Sequence, residues 1–116
     1  IFSAHLLEHF PQEQLRRSLL PNWVTLLAPR GVFRAVVPDL DAMMRGYAAG
    51  ELDFATVREV TYGGQEYEGD THFTGFTVDH LTELLDGAGL VDVEVLAAGR
   101  PSGDCYEIEL TASRSG

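Results

Sequence analysis

Two histidines and a glutamate stand together near the start of the chain, in His5-Leu6-Leu7-Glu8-His9. The spacing fits H-x-x-E-H, in which two histidines one helical turn apart hold Zn²⁺ and the glutamate activates water. That chemistry needs a helix beneath the motif and a third ligand. Pro11 follows within two residues and interrupts any such helix. The sequence therefore predicts a polar loop here and no metal. A zinc hydrolase acting through His5 and His9 is carried only as the third of three functional readings.

Two further positions could do chemistry. His72 lies among acidic and aromatic residues in the stretch Gly63 to Phe76. Histidine is the side chain that titrates nearest neutral pH, which makes His72 the general-base candidate outside the first loop. Asp39-Leu40-Asp41 resembles the D-x-D pair of metal-dependent sugar transferases, although two acids at a helix start are ordinarily caps. Asp39 matters for its place, because it ends a strand at the edge where open α/β sheets hold ligands.

The elements that must position these residues follow from a change of hydrophobic period. Leu15, Leu19, Leu20, Trp23, Val24 and Leu27 recur at helical spacing, with Pro11 at the first helical position and Pro21 breaking or kinking the run. Pro29-Arg30-Gly31 then turns the chain into a β-branched and aromatic strand, Val32 to Val37, expected to be buried on both faces. Pro38 cannot donate to a ladder and should stop it. Helices are predicted over Leu40–Ala49, Glu51–Tyr62 and Val78–Ala88, the last capped by Thr77 and ended by Gly89. Tyr62, Tyr67, Phe73 and Phe76 are expected to form a small satellite core holding the intervening loop down. Val91, Val93 and Val95 alternate with acids to give a strand with one wet face. Gly99 to Asp104 is its hairpin turn, and Tyr106, Ile108 and Leu110 mark the last strand. Ile1 to Ala4 reads as the end of a buried strand, so the chain is expected to be a fragment of a larger domain. The glycines of Gly63-Gly64 and of Gly87-Ala88-Gly89 are turn glycines without the strand-loop-helix context of a phosphate loop. The pattern is an α/β layer with an antiparallel edge pair.

Composition bounds the partners. The 116 residues carry a net charge of −10, and all eight cations are arginine. Such a chain lacks the basic stripe that nucleic-acid backbones or anionic membrane surfaces require. No apolar run is long enough to span a bilayer, and there is no signal-peptide pattern, so a cytoplasmic protein is expected. Cys105, the single cysteine, allows no internal disulfide and sits in a strand-like run where inert burial is expected.

In this order the motifs resemble the carboxyl-terminal half of a class I S-adenosylmethionine-dependent methyltransferase, closest to a small bacterial group of predicted methyltransferases. Ser3-Ala4-His5-Leu6-Leu7-Glu8-His9 is similar to that group's "SHxLEH", and Leu26-Leu27-Ala28-Pro29-Arg30-Gly31 to its "VLKPGG". Val37-Pro38-Asp39 is similar to "vPD", and Tyr62-Gly63-Gly64-Gln65 with His72 and Phe76 to "YGGQ … H … F". Leu84-Leu85-Asp86-Gly87-Ala88-Gly89-Leu90 resembles "LLxxAGF".

The resemblance implies a partial Rossmann-like sheet, with helices on its faces and a carboxyl-terminal antiparallel hairpin, forming one domain over residues 1–116. It implies the fourth strand's end and the fifth to seventh strands, with S-adenosylmethionine as cofactor. It places Ser3, Ala4 and His5 at the cofactor's methionine end, and Glu8, His9, Asp39, Tyr62 and His72 toward a small-molecule or saccharide-type acceptor. His5 and His72 are the catalytic candidates. The family's glycine-rich loop and ribose-gripping acid have no counterpart here, so the isolated chain is not expected to methylate alone. The second reading is a non-catalytic methyltransferase-like module that self-associates through the sheet edge at Ile1.

Overall fold

The computed structural model describes residues 1–116 and builds them around one four-stranded sheet. Strand β1 (Phe2–Ala4) runs parallel to β2 (Val32–Pro38), β2 pairs antiparallel with β4 (Cys105–Arg114), and β4 pairs antiparallel with β3 (Leu90–Ser102). The spatial order β1-β2-β4-β3 leaves β2 inside the sheet and makes β3 and β4 a hairpin, as the sequence predicts. Pro38 still sits in register with Glu107, one residue beyond the expected stop, and the next amide, of Asp39, donates to the Tyr106 carbonyl.

Helical turns run from α1 (Gln12–Gln14) through a π-helical segment (Leu15–Leu19) into α2 (Leu20–Leu26). Pro21 therefore neither breaks the run nor ends it. The Leu20 amide bonds Leu15 five residues back, and this wider turn absorbs the proline that an α-helix would expel. Leu15, Leu20 and Leu27 are buried, with Leu19, Trp23 and Val24 packed against them. Helix α5 (Val78–Gly87) adds Leu81, Leu84 and Leu85, and Thr77 caps it by accepting from the His80 amide. Both helical layers meet Phe33, Ala35, Val37, Ile108, Leu110 and Ala112 on one sheet face. Each fully buried leucine there stabilises the fold by about 2 kcal/mol.

The opposite sheet face is ionic. Strand alternation turns Arg34 of β2 and Glu107 and Glu109 of β4 away from the core. Arg100 of β3, paired with Glu107 across the hairpin, joins them. The two glutamates are only 7% and 5% exposed, yet every carboxylate oxygen finds a cation or a ring nitrogen. Val32 and Arg34 are exposed, so only the carboxyl half of β2 is buried on both faces.

Helix α3 (Leu40–Ala48) packs against the hairpin and against α4 (Phe54–Tyr62), which starts three residues later than predicted because Asp53 is its cap. Two expectations are corrected here. Strand β3 continues through Gly99 to Ser102, so the turn is only Gly103-Asp104. Register shifts between Val91 and Glu94 and again before Ala97 defeat simple alternation, and Val91 and Val95 end up exposed. The satellite aromatic core also does not form. Tyr62, Tyr67 and Phe73 are exposed and Phe76 joins the main core. The loop from Gly63 to Phe76 is held instead through its backbone, with amides of His72 and Phe73 donating to the carbonyls of Tyr62 and Glu8.

Candidate functional site

The carboxyl ends of β1 and β2 open onto a cavity of about 330 Å³, whose walls include His5, Glu8, His9, His72 and Cys105. The chain reaches it by leaving the sheet abruptly. The His5 amide donates to the Val36 carbonyl at 2.9 Å, closing the ladder, and His5 itself lies at φ 52°. A non-glycine residue in that region is uncommon and redirects the backbone by force of geometry. A three-residue 3₁₀ turn, Leu7–His9, follows, pinned by the fully buried Leu7.

This turn corrects the H-x-x-E-H reading. His5 lies outside any helix, so His5 and His9 do not share a face. The His5 ring turns instead to Glu107, with Nε2 at 3.0 Å from Oε2, and its Nδ1 lies 3.8 Å from Oε2 of Glu8. Glu107 accepts from the Arg100 guanidinium through its other oxygen at 2.7 Å, and Arg100 reaches Glu109 at 2.7 Å. Arg34 closes the chain of charges by donating to Glu109. The two arginines, Arg100 first and Arg34 second, hold the Glu109 carboxyl below the ordinary carboxylate range despite its burial.

His9 and His72 meet across the cavity, their rings in edge-to-face contact at 4.6 Å between centroids. Each is oriented by a backbone carbonyl. Nδ1–H of His9 donates to Thr71 at 3.2 Å and Nδ1–H of His72 to Val60 at 2.7 Å, so Nε2 is the free nitrogen on both. Glu8 is 2% exposed, and its Oε1 has no hydrogen-bond partner. Gly63 allows the loop to fold back over this cluster. It has φ 81°, and a Cβ there would lie 2.0 Å from the Asp70 carbonyl oxygen.

The remaining predicted residues sit elsewhere. Asp39 is 4% exposed and is used by the backbone: Oδ1 accepts from the Ala42 amide at 3.1 Å and caps α3, while Oδ2 accepts from the Gly99 amide at 2.8 Å. It also edges a wider concavity of about 700 Å³ beside α3, which contains no histidine. The Tyr62 side chain is exposed along a neighbouring groove with Arg58 and Gln65. Ser3 shares the core-facing side of the sheet with Ala35, and its buried hydroxyl has no partner. Cys105 is half-buried. Burial first, then the nearby carboxylates of Glu107, Glu8 and Asp39, push its thiol up to about 11, which makes it inert.

Glu107 and Arg100 are the site residues that sequence reasoning missed. The only signal was the acid at every second position of the last strand, which reads equally well as a wet face.

No protein-family model matches the chain, and no curated protein matches it significantly. Solved structures do. Human N-acetylserotonin methyltransferase in complex with S-adenosylmethionine superposes with a TM-score of 0.65 at 16% identity, over 99% of this chain and 29% of that one. The S-adenosylmethionine-dependent methyltransferase SibL in its apo form gives 0.61 at 23% identity over 100% and 30%. A SAM-dependent methyltransferase from Methanosarcina mazei gives 0.60 at 18% identity over 98% and 57%. The chain has a class I S-adenosylmethionine-dependent methyltransferase-like fold. It spans between 29% and 57% of the length of these solved chains.

Proposed function

We propose that this chain is the acceptor-side part of an S-adenosylmethionine-dependent methyltransferase, acting in the cytoplasm on a small-molecule or saccharide-type hydroxyl. The observation that carries the reading is the cavity at the carboxyl ends of β1 and β2, with His5, Glu8, His9 and His72 in its wall. Bound S-adenosylmethionine supplies an electrophilic methyl group. The residues present fit only its methionine end, through the backbone around Ala4 and His5, since the Ser3 hydroxyl points into the core. The adenosine-holding strands would come from outside residues 1–116, as the share of the solved methyltransferases that the chain spans suggests.

Methyl transfer by displacement depends chiefly on aligning acceptor and donor. His9 and His72, each fixed by a backbone carbonyl, line the cavity beside His5 and shape the space the acceptor occupies. His5 is the general base. Glu107 accepts its Nε2–H, which fixes the tautomer and leaves Nδ1 with a lone pair for the acceptor's proton. Glu8 at 3.8 Å offsets the positive charge as the imidazolium forms. Asp39 and Tyr62 act only at a distance, Asp39 by fixing α3 and Tyr62 through its carbonyl to the His72 amide.

The acidic surface argues against nucleic acid and membrane surfaces as partners, and no helix is long and apolar enough to cross a membrane. The outer edge of β1 has no neighbour within the chain and Phe2 is 64% exposed, so this edge is where another strand, or a second copy, would pair. The test of the catalytic assignment is radiolabelled methyl transfer by the chain joined to its adenosine-holding strands. His5→Asn should lower kcat by about 100-fold or more, and unchanged kcat would remove His5 from the base role.

A further inference from the structure

We propose that Glu8, His9 and His72 bind one divalent transition-metal ion, of the zinc, cobalt or manganese class. One ligand atom from each residue lies within 4.8 Å of the other two. The set of two imidazoles and one carboxylate suits these borderline ions. It does not suit a hard cation that requires oxygen donors throughout.

Three independent features point to a ligand. Glu8 is almost wholly buried, and its Oε1 faces no donor. A carboxylate oxygen in that position is destabilising unless something positive meets it. Both imidazoles have Nδ1–H tied to a backbone carbonyl, Thr71 for His9 and Val60 for His72. That is the outer arrangement which orients metal-binding histidines, and it leaves both Nε2 lone pairs free. Finally, the three residues are held by separate restraints. Leu7 buries the 3₁₀ turn, and the Phe73 amide donates to the Glu8 carbonyl itself, at 2.8 Å. Ligand–metal distances of about 2.1 Å put neighbouring ligand atoms about 3.0 to 3.5 Å apart, so closing on one ion requires a contraction of at most roughly 1.8 Å.

This reverses the sequence expectation of no metal, and for a specific reason. The interrupted helix does remove the His5–His9 pair, but the loop returns a different histidine, 63 positions downstream of His9, to the same turn. Three protein ligands leave at least one coordination position open toward the cavity. Its use rests on the methyltransferase reading: an acceptor hydroxyl bound there would become more acidic and pass its proton to His5 Nδ1 as its oxygen takes the methyl group, the S–CH₃ bond breaking and its electron pair leaving on sulfur as the thioether S-adenosylhomocysteine. Metal binding itself does not depend on that reading.

The test is titration of the metal-free 116-residue chain with Co²⁺, followed by visible absorption, and with Zn²⁺ by calorimetry. One ion per chain with micromolar affinity is expected. His72→Ala, His9→Ala and the shape-preserving Glu8→Gln should each weaken binding by about 10-fold or more, with far-ultraviolet circular dichroism unchanged. His80→Ala, which removes the histidine outside the cavity, should bind as the parent does. Three results would overturn the site: no saturable binding by the folded parent up to about 1 mM metal, undiminished binding by folded Glu8→Gln and His72→Ala, or a requirement for His5 in place of His72. Stoichiometric binding, together with no methyl transfer by the chain even when joined to adenosine-holding strands and folded, would retire the methyltransferase reading and leave the metal site standing.

Discussion

Replacing Asp39 separates its two possible roles. The structure uses both carboxylate oxygens, one on the Ala42 amide and one on the Gly99 amide 60 positions away. Asp39→Ala removes a helix cap worth about 1 kcal/mol. It also strands a buried amide, which costs about 1 to 3 kcal/mol. The expected loss is about 2 to 4 kcal/mol, or roughly 8 to 16 °C in Tm for a chain of this size. Asp39→Asn keeps a carbonyl oxygen for the cap but turns an amide N–H₂ toward the Gly99 donor, so its loss should be smaller by about the value of the cap, ~1 kcal/mol. Urea unfolding of the parent and the two variants, with slopes compared to verify an unchanged transition, measures this ordering. Asp39→Ala within about 0.5 kcal/mol of the parent would refute it. The Asp39 carboxylate would then be free to serve a ligand.

Two further outcomes follow from the ionic face and the buried thiol. Glu109 is held below the ordinary value of 4.5 by Arg100 and Arg34, so its contribution to stability is present above pH 4.5 and is lost as pH falls through the folded value. Urea midpoints of the parent and Glu109→Gln should therefore converge as pH falls from neutral through the folded value, and a gap that stays constant on acidification would contradict the assignment. Cys105, raised from 9.0 to about 11, should alkylate at pH 9 about 50-fold more slowly in the native chain than in urea. Equal rates would show the thiol to be solvated.

What was legible in the sequence is what depends on local period and punctuation. The helical run of Leu15 to Leu26, the inner strand ending near Pro38, the Thr77 cap and the Gly89 stop all follow from residues close together in the chain. What was illegible depends on partners far apart. The pairing of Glu107 with His5 spans 102 positions, and the meeting of His9 with His72 relies on a loop held by backbone bonds with no side-chain signature. The bulges of β3 escaped for a related reason. A strand read by alternation assumes constant register, and Asp92 at φ 54° abandons it. Of the two outcomes expected at Pro21 the break does not occur, since a π turn lets the helix accept a residue that local rules exclude.

The central claim is that these residues form the acceptor side of a cofactor site completed elsewhere. Its most direct test is calorimetric titration of S-adenosylmethionine into the 116-residue chain alone and into the chain extended by the adenosine-holding strands that the proposal requires. A few exposed hydrogen bonds near Ala4 and His5, each contributing about 1 kcal/mol, cannot offset an association cost on the order of several kcal/mol. The account predicts no measurable binding to the chain alone and micromolar binding to the extended one. Micromolar binding to the 116 residues by themselves would contradict it, as would an extended chain that folds and does not bind.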